Sequence, residues 1–461
     1  MKILLILLYI LLSYDSIFSE TYSDHRKDDL LYWNGGKKTL EFLSRKETTT
    51  GKQIFQNGQL RILNRKLINT SYYTQKGGED REGISRYSGF GRLDLELGLL
   101  TNNFFLIVSS KPNYKEEKVY DKEIQKKSIR EVIIGTNVEY NNFKFYLQGG
   151  EGFQRLDSYG LFFSGYSRFV ESSIHYLPFG ITMNFFQIAR TDDLRKRITG
   201  ASLSFFENFF IKRNTFTYSS YIEDRILGIP QTILNERRDE EPKGEYRYFF
   251  WELETNPIKN FTFELGVFGV KGKRVYSNPF YIGNSPQIAT DGRLYYAKLN
   301  SNITLADISI GGLYSRKDRS RNDSENNGYS GISTSPRIFG GASSFLLNLE
   351  SNLIDRGVFS NSSTPEFQNK GIQMVSFEIS KKFSESFGMN FFLNRGIVFL
   401  GNGYEGIVQG IYKNSYGFFL ISYTHARLRS QDISPVLTNT IGVLEKEKAF
   451  DRFYLSAVLE F

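Results

Sequence analysis

Leu93, Leu95, Leu97 and Leu99 alternate with Arg92, Asp94, Glu96 and Gly98, so one side of this stretch is apolar and the other polar or small. Successive side chains of a β-strand point to opposite faces, and a period of two therefore predicts a strand. One such stretch would suit any half-buried sheet, but the pattern repeats along the chain. Phe143, Phe145 and Leu147 alternate with Lys144, Tyr146 and Gln148, and Phe249, Trp251 and Leu253 with Phe250, Glu252 and Glu254. Phe261, Phe263, Leu265 and Val267 alternate with Thr262, Glu264, Gly266 and Phe268. Val375, Phe377 and Ile379 alternate with Ser376, Glu378 and Ser380; Phe387, Met389, Phe391 and Leu393 alternate with Gly388, Asn390, Phe392 and Asn394. Charges in mid-strand opposite an apolar face require water on their side, which a water-filled lumen supplies.

From Gln59 onward, two stretches of about ten residues flank a tight polar turn and a longer polar segment follows, the hairpin rhythm of a membrane barrel. Hairpins fall near residues 90/103, 129/143, 169/181, 197/209, 245/261, 293/307, 371/387 and 404/416. Adding a first strand within 59–73 and a last from Asp451 to Phe461 gives about 18 strands, an even number as single-chain bacterial barrels have. Short turns such as Asn141-Asn142, Glu207-Asn208, 305–307 and Asn414-Ser415 fall on one side. Long polar segments 112–128, 222–244, 271–292, 318–370 and 429–448 fall on the other. Outer-membrane barrels have short periplasmic turns and long external loops, which fixes the direction. The segments 159–166 and 343–351 read as loops folded into the lumen, since either one alone as a strand would break the even count. The expected fold is thus all-β, a transmembrane antiparallel barrel over 53–461.

Lys2 precedes an apolar run from Ile3 to Leu12, and polar residues return at Ser13. A run this short is a signal peptide's hydrophobic region and not a spanning helix, which needs roughly 20 apolar residues. Residues 1–19 are therefore expected to direct export, with cleavage between Ser19 and Glu20, and 20–52 to form a periplasmic extension or small plug. The absence of cysteine removes disulfides, thiolate metal sites and a lipidated anchor. A mean hydropathy of -0.36 with 23% charged residues is incompatible with a helical membrane protein. Phe 41, Tyr 29 and Gly 41 suit strands and their turns. The formal charge of +8 points, for an exported chain, to lipopolysaccharide or anionic solutes and not to nucleic acid.

The last strand places Phe453, Leu455, Ala457, Leu459 and Phe461 on one face, ending on an aromatic residue. It resembles the terminal strand by which the barrel-assembly machinery recognises bacterial outer-membrane proteins. The whole layout resembles the porin superfamily, and its strand number is similar to that of alginate-export porins. That narrower resemblance implies a strongly basic lumen, whereas the inward faces here also carry acidic residues. Alginate is therefore not carried over as substrate.

The inward positions expected to line a pore are Arg92, Asp94, Glu96, Lys144, Glu171, Glu252, Glu264, Lys298 and Glu378. Basic residues gather at the external strand ends, among them Arg197, Arg274, Arg316, Lys317, Arg427 and Arg429. They would draw anionic solutes to the mouth or hold lipopolysaccharide phosphates around the rim. Tyr140, Tyr176, Trp251, Tyr412 and Tyr416 are expected in the aromatic girdles at the bilayer surfaces. His25, His175 and His425 lie in unrelated segments with no nucleophile motif beside them, so no catalysis is expected. Asp192-Asp193 and Asp239-Glu240-Glu241 lack the spaced oxygen ligands of a calcium loop, so neither metal nor cofactor is expected. The expected function is a channel for passive or substrate-selective diffusion of small hydrophilic solutes. The alternative is a surface adhesin or ligand-binding barrel acting through its long loops, above all 318–370.

Overall fold

The computed structural model describes residues 52–57, 60–76, 86–100, 104–111, 113–119, 122–123, 129–190, 196–208, 210–223, 244–258, 260–275, 287–303, 305–316, 325–332, 336–344, 346–347, 367–368, 371–398, 401–414, 417–429 and 448–460. Nearly all of it is antiparallel β-structure. The strands are β1 (Lys52–Asn57), β2 (Leu60–Lys76), β3 (Arg86–Leu100), β4 (Phe104–Lys111), β5 (Asn113–Val119), β6 (Lys122–Glu123), β7 (Ile129–Tyr140) and β8 (Phe143–Arg155). Then come β9 (Ser164–Tyr176), β10 (Ile181–Arg190), β11 (Lys196–Asn208), β12 (Ile211–Glu223), β13 (Gly244–Ile258), β14 (Phe261–Val275), β15 (Gln287–Ile303) and β16 (Ala306–Ser315). The last are β17 (Glu325–Asn326), β18 (Ser330–Gly331), β19 (Phe367–Gln368), β20 (Ile372–Lys382), β21 (Phe387–Val398), β22 (Gly401–Asn414), β23 (Gly417–Arg429) and β24 (Lys448–Glu460).

Each long strand pairs antiparallel with its neighbours in sequence, and all eight expected hairpins are present. Asn141 sits at φ 52 in the two-residue turn between β7 and β8, the left-handed geometry that matches the twist of a tight hairpin and that asparagine tolerates. β16 pairs with β20, and from the segment between them β17 adds a short parallel pairing to β15. At the ends of the chain, β2 pairs with β24 from Leu67↔Glu460 to Lys76↔Asp451. β1 pairs with the stretch of β2 that β24 does not reach, from Lys52↔Asn64 to Asn57↔Leu60.

The two faces of the sheet differ as the alternation requires. Leu147, Val170 and Val375 are 51%, 56% and 62% exposed, whereas the alternate positions Phe268 and Ile407 are fully buried. We call the exposed apolar face outer and the covered face inner. Apolar side chains on an uncovered face are stable only against an apolar solvent, and lipid provides it.

Three expectations need correction. Strands run well into segments read as loops: β5 continues the pairing with β3, β14 reaches Val275 and β15 begins at Gln287. Their polar composition reflects strand ends that would stand clear of the bilayer. Trp251 lies in the middle of β13 and not near a turn, stacked on Phe216 at 6.0 Å with its indole N–H donated to Asn214 Oδ1 at 2.7 Å. The 318–370 segment is not wholly a surface loop, since its residues 336–344 and 346–347 pack inside. Tyr416, Lys317, His25 and Phe461 lie outside the described residues.

Candidate functional site

Two irregular segments, 156–163 between β8 and β9 and 336–347 between β18 and β19, fold against the inner face. Neither has a periodic pattern, and both are rich in residues that bury well: Tyr159, Leu161, Phe162, Phe163, Ile338, Phe339, Leu346 and Leu347 are all buried. Phe162 packs against Tyr248 and Phe250 at 4.8 and 5.2 Å, and Tyr159 meets the edge of Tyr296 at 5.0 Å. The two segments are tied together through the backbone: Ile332 N donates to Phe162 O at 2.9 Å and Arg337 N to Tyr159 O at 3.0 Å. Tyr329 adds a third link, its hydroxyl donating to Leu161 O at 3.3 Å. The result is one strap lining the inner wall from β13 to β24.

Inward carboxylates hold this strap. Glu252 accepts from Ser158 N at 3.1 and 3.3 Å and from the Tyr296 hydroxyl at 3.1 Å. Glu264 accepts from the Tyr159 hydroxyl and, at 2.7 Å, from Asn300 Nδ2. Glu405 accepts from the Ser344 hydroxyl, from Leu346 N at 3.0 Å and from Asn394 Nδ2 at 2.7 Å. Gln409 Nε2 donates to Gly340 O at 3.3 Å, the Thr424 hydroxyl donates to Ser343 O at 2.7 Å, and Arg452 Nη1 donates to Ser344 O at 3.3 Å. Irregular backbone carries unpaired N–H and C=O groups that are costly to bury, and these wall side chains satisfy them. Gly340 has a φ of 93°, and a Cβ there would stand 2.5 Å from Ile407 Cδ1, so only glycine fits this close approach.

Asp157 closes the first segment on itself. Its carboxylate accepts Leu161 N at 2.6 Å, Phe162 N at 2.9 Å and Phe163 N at 3.2 Å. Burial and then the charge of Glu252 push its carboxyl up from 3.8 to about 6, against the lowering effect of the three amides. A carboxyl with a raised pKa favours the docked state when protonated, so its contribution, about 3 kcal/mol, is complete below pH 3.8 and is lost as pH rises through 6. Amide protection of residues 156–163 against hydrogen exchange, corrected for the intrinsic rate, is therefore expected to be greater at pH 4 than at pH 7. Asp157→Asn does not titrate, but it keeps only the Oδ1 contacts and sets an NH2 donor against Leu161 N; it should flatten that dependence while loosening the segment at every pH, and an unchanged pH profile in the variant would contradict this role.

The structure places the described pore-lining candidates on the inner face, though in three environments. Glu252 and Glu264 clamp the strap. Lys298 and Glu378 form a buried ion pair, with the Ser380 hydroxyl donating to Glu378 at 3.3 Å. Lys144 and Glu171 stand apart, the latter accepting from Gln148 Nε2 at 2.8 Å. Water is thus not what compensates Glu252, Lys298 and Glu378, as the sequence led us to expect; hydrogen-bonded partners do. Arg92, Asp94 and Glu96 occupy β3 opposite Asn69, Leu67 and Arg65.

Glu405 and Asp157 were missed. Glu405 shares the inner face of β22 with Ile407 and Ile411, which blurs the alternation there, and Asp157 gives no signal in an aperiodic segment. Arg197 and Arg427 alternate with the buried Ile198 and Ala426, and so lie exposed on the outer face instead of facing the mouth. Arg316 is exposed just past β16, and Arg274 and Arg429 pair in β14 and β23 with Gly244 and Asn402. His175 is inward on β9, its Nδ1 2.6 Å from the Thr182 hydroxyl, whereas His425 is outward on β23, 2.9 Å from Asp451. They share no site. No cluster of metal-ligating side chains occurs among the described residues.

No protein-family model and no curated protein matches the chain. Solved structures do, among them outer-membrane porins of Pseudomonas aeruginosa. The chain is similar to OccK2 (OpdF) in complex with glucuronate at 12% identity, covering 86% of this chain and 98% of that one with a TM-score of 0.50. OccK8 (OprE) and OccK5 (OpdH) each align at 11% identity over 86% of this chain and 98% of theirs, again with a TM-score of 0.50. At such identity the likeness is one of fold, that of outer-membrane β-barrels.

Proposed function

We propose that the chain is an outer-membrane channel for passive or substrate-selective diffusion of small hydrophilic solutes, and not an enzyme. The observation that carries this reading is the exposed apolar outer face, continued from strand to strand until β24 pairs with β2. With β4 and β5 counted as one interrupted strand, our reading is an 18-stranded barrel made of β2, β3, β4 with β5, β7 to β16 and β20 to β24, and the pairing of β24 with β2 supports it. A barrel of that size encloses an aqueous lumen unless something folds in. The strap does so, and it makes the channel narrow. Lys144 and Glu171 are the groups a solute would pass, together with Arg92, Asp94 and Glu96, while Glu252 and Glu264 hold the strap in place. Lys298 and Glu378 stabilise the wall behind the strap.

In the same reading, residues 1–19 direct export, 20–52 remain in the periplasm, and the alternation ending at Phe461 is read by the barrel-assembly machinery. The rim arginines meet lipopolysaccharide. The narrower likeness to alginate-export channels adds nothing to this proposal. The adhesin alternative loses its main support, because part of the 318–370 segment is committed to the strap. Purified full-length protein in planar bilayers is expected to give small, discrete conductance steps. A preparation that inserts as a folded barrel yet stays silent would contradict the channel.

A further inference from the structure

The outer face carries a groove of about 1120 Å³. Its centre is a row of directly paired residues across six strands, Ala297, Gly312, Val375, Arg395, Tyr404 and Arg427. Directly opposed residues of antiparallel strands present their side chains on one face. The row therefore roots two arginines either side of one tyrosine, their backbones two strand spacings or about 10 Å apart. Ala297 and Gly312 leave the floor low. Tyr295 and Tyr314, with ring centroids 6.3 Å apart, form the wall of the next row. Val375, Ile397 and Leu265 give the groove an apolar side that merges with the face turned to lipid.

The position of the groove is informative. Tyr314 lies one residue from the end of β16, Arg427 two from the end of β23, and Gln373 is the second residue of β20. These are the ends that lead into the long segments, hence the external side. A ligand seated there has its tail in the outer leaflet and its head at the level of the arginines.

We propose that this groove binds a saccharide-headed lipid bearing phosphate groups, the lipid A class, from the outer leaflet; the inference rests on the outer-membrane reading given above. Arg395 and Arg427 would each take a phosphate by paired, charge-assisted N–H···O bonds. Their separation suits phosphates at opposite ends of a sugar head better than the single phosphate of a glycerophospholipid. Tyr404, Tyr314 and Tyr295 offer flat faces for the sugar rings, and the acyl chains run down past Val375. The rim arginines in general supply long-range attraction, whereas this groove supplies a fixed seat.

The test uses the full-length protein in detergent, with native mass spectrometry reading retention of diphosphorylated lipid A, its dephosphorylated form, or phosphatidylglycerol. The native protein is expected to retain diphosphorylated lipid A at least about tenfold more strongly than the other two. The double variant Arg395→Gln/Arg427→Gln should lose that preference. Ala297→Leu, which fills the floor and leaves the charge unchanged, should weaken retention as well. Equal retention by the native protein and the arginine variant, indifference to Ala297→Leu, or equal binding of phosphatidylglycerol would each overturn the proposal. Both variants are altered only on the outer surface, so conductance steps in bilayers report that the barrel is intact. Steps without lipid preference would refute the groove alone, and failure to insert would refute the membrane reading beneath it.

Discussion

Replacing residues 337–347 by a short Gly-Ser linker is expected to raise single-channel conductance at least about threefold, because a barrel of this strand number is wide unless filled. The strap is held by side chains of the wall and not by the sheet ladder, so its removal should leave β16 and β20 paired as before. Removal does expose Glu405, Asn394 and Gln409, which now spend their hydrogen bonds on the strap. Once the lumen is open, water replaces those partners. Folding should therefore survive, as checked by the heat-dependent shift in gel mobility that folded barrels show. Conductance equal to that of the native protein would mean that the strap does not narrow the pathway.

The second large effect concerns the ion pair behind the strap. Lys298 and Glu378 have side chains 1% and 8% exposed, on β15 and β20. Removing one partner of a buried pair strands the other charge, at about 3–5 kcal/mol, whereas replacing both by apolar groups is often neutral. Glu378→Ala is thus expected to lower the urea midpoint sharply, while Lys298→Met/Glu378→Leu should recover most of the loss. A double variant as unstable as the single one would show that each residue matters for something other than the other's charge.

The wall was legible because lipid imposes a rule on every strand at once. An outward residue such as Leu147 or Val375 must be apolar, and an inward one such as Gln148 or Ser376 is free of that constraint, so period two appears without any knowledge of the fold. Hairpins were legible for a local reason, since Asn141-Asn142 supplies the backbone geometry a tight turn needs. Strand ends were not legible, because beyond the bilayer the rule lapses: Lys271 and Lys273 are exposed on the outer face of β14, where composition alone reads as loop.

The strap was foreseen only as inward-folded loops. Its anchoring depends on residues distant in sequence, such as Ser158 with Glu252 and Leu346 with Glu405, and no spacing records such a meeting. Hence Glu252 and Glu264 were recognised as inward but assigned to water. The same limit explains the arginines. Their abundance at strand ends was plain, but the side of the wall each one faces follows from register, and register places Arg395, Tyr404 and Arg427 together on the outside.

The central claim is that lipid covers one face of the wall and the lumen the other, and the absence of native cysteine makes it directly measurable. Single cysteines labelled with a fluorophore at the outward Leu147, Val375 and Ile421, and at the inward Tyr146, Ser173 and Thr215, can be compared in vesicles containing brominated lipid. The account expects strong quenching at the first three positions and little at the last three. Uniform quenching, or the reverse pattern, would contradict it.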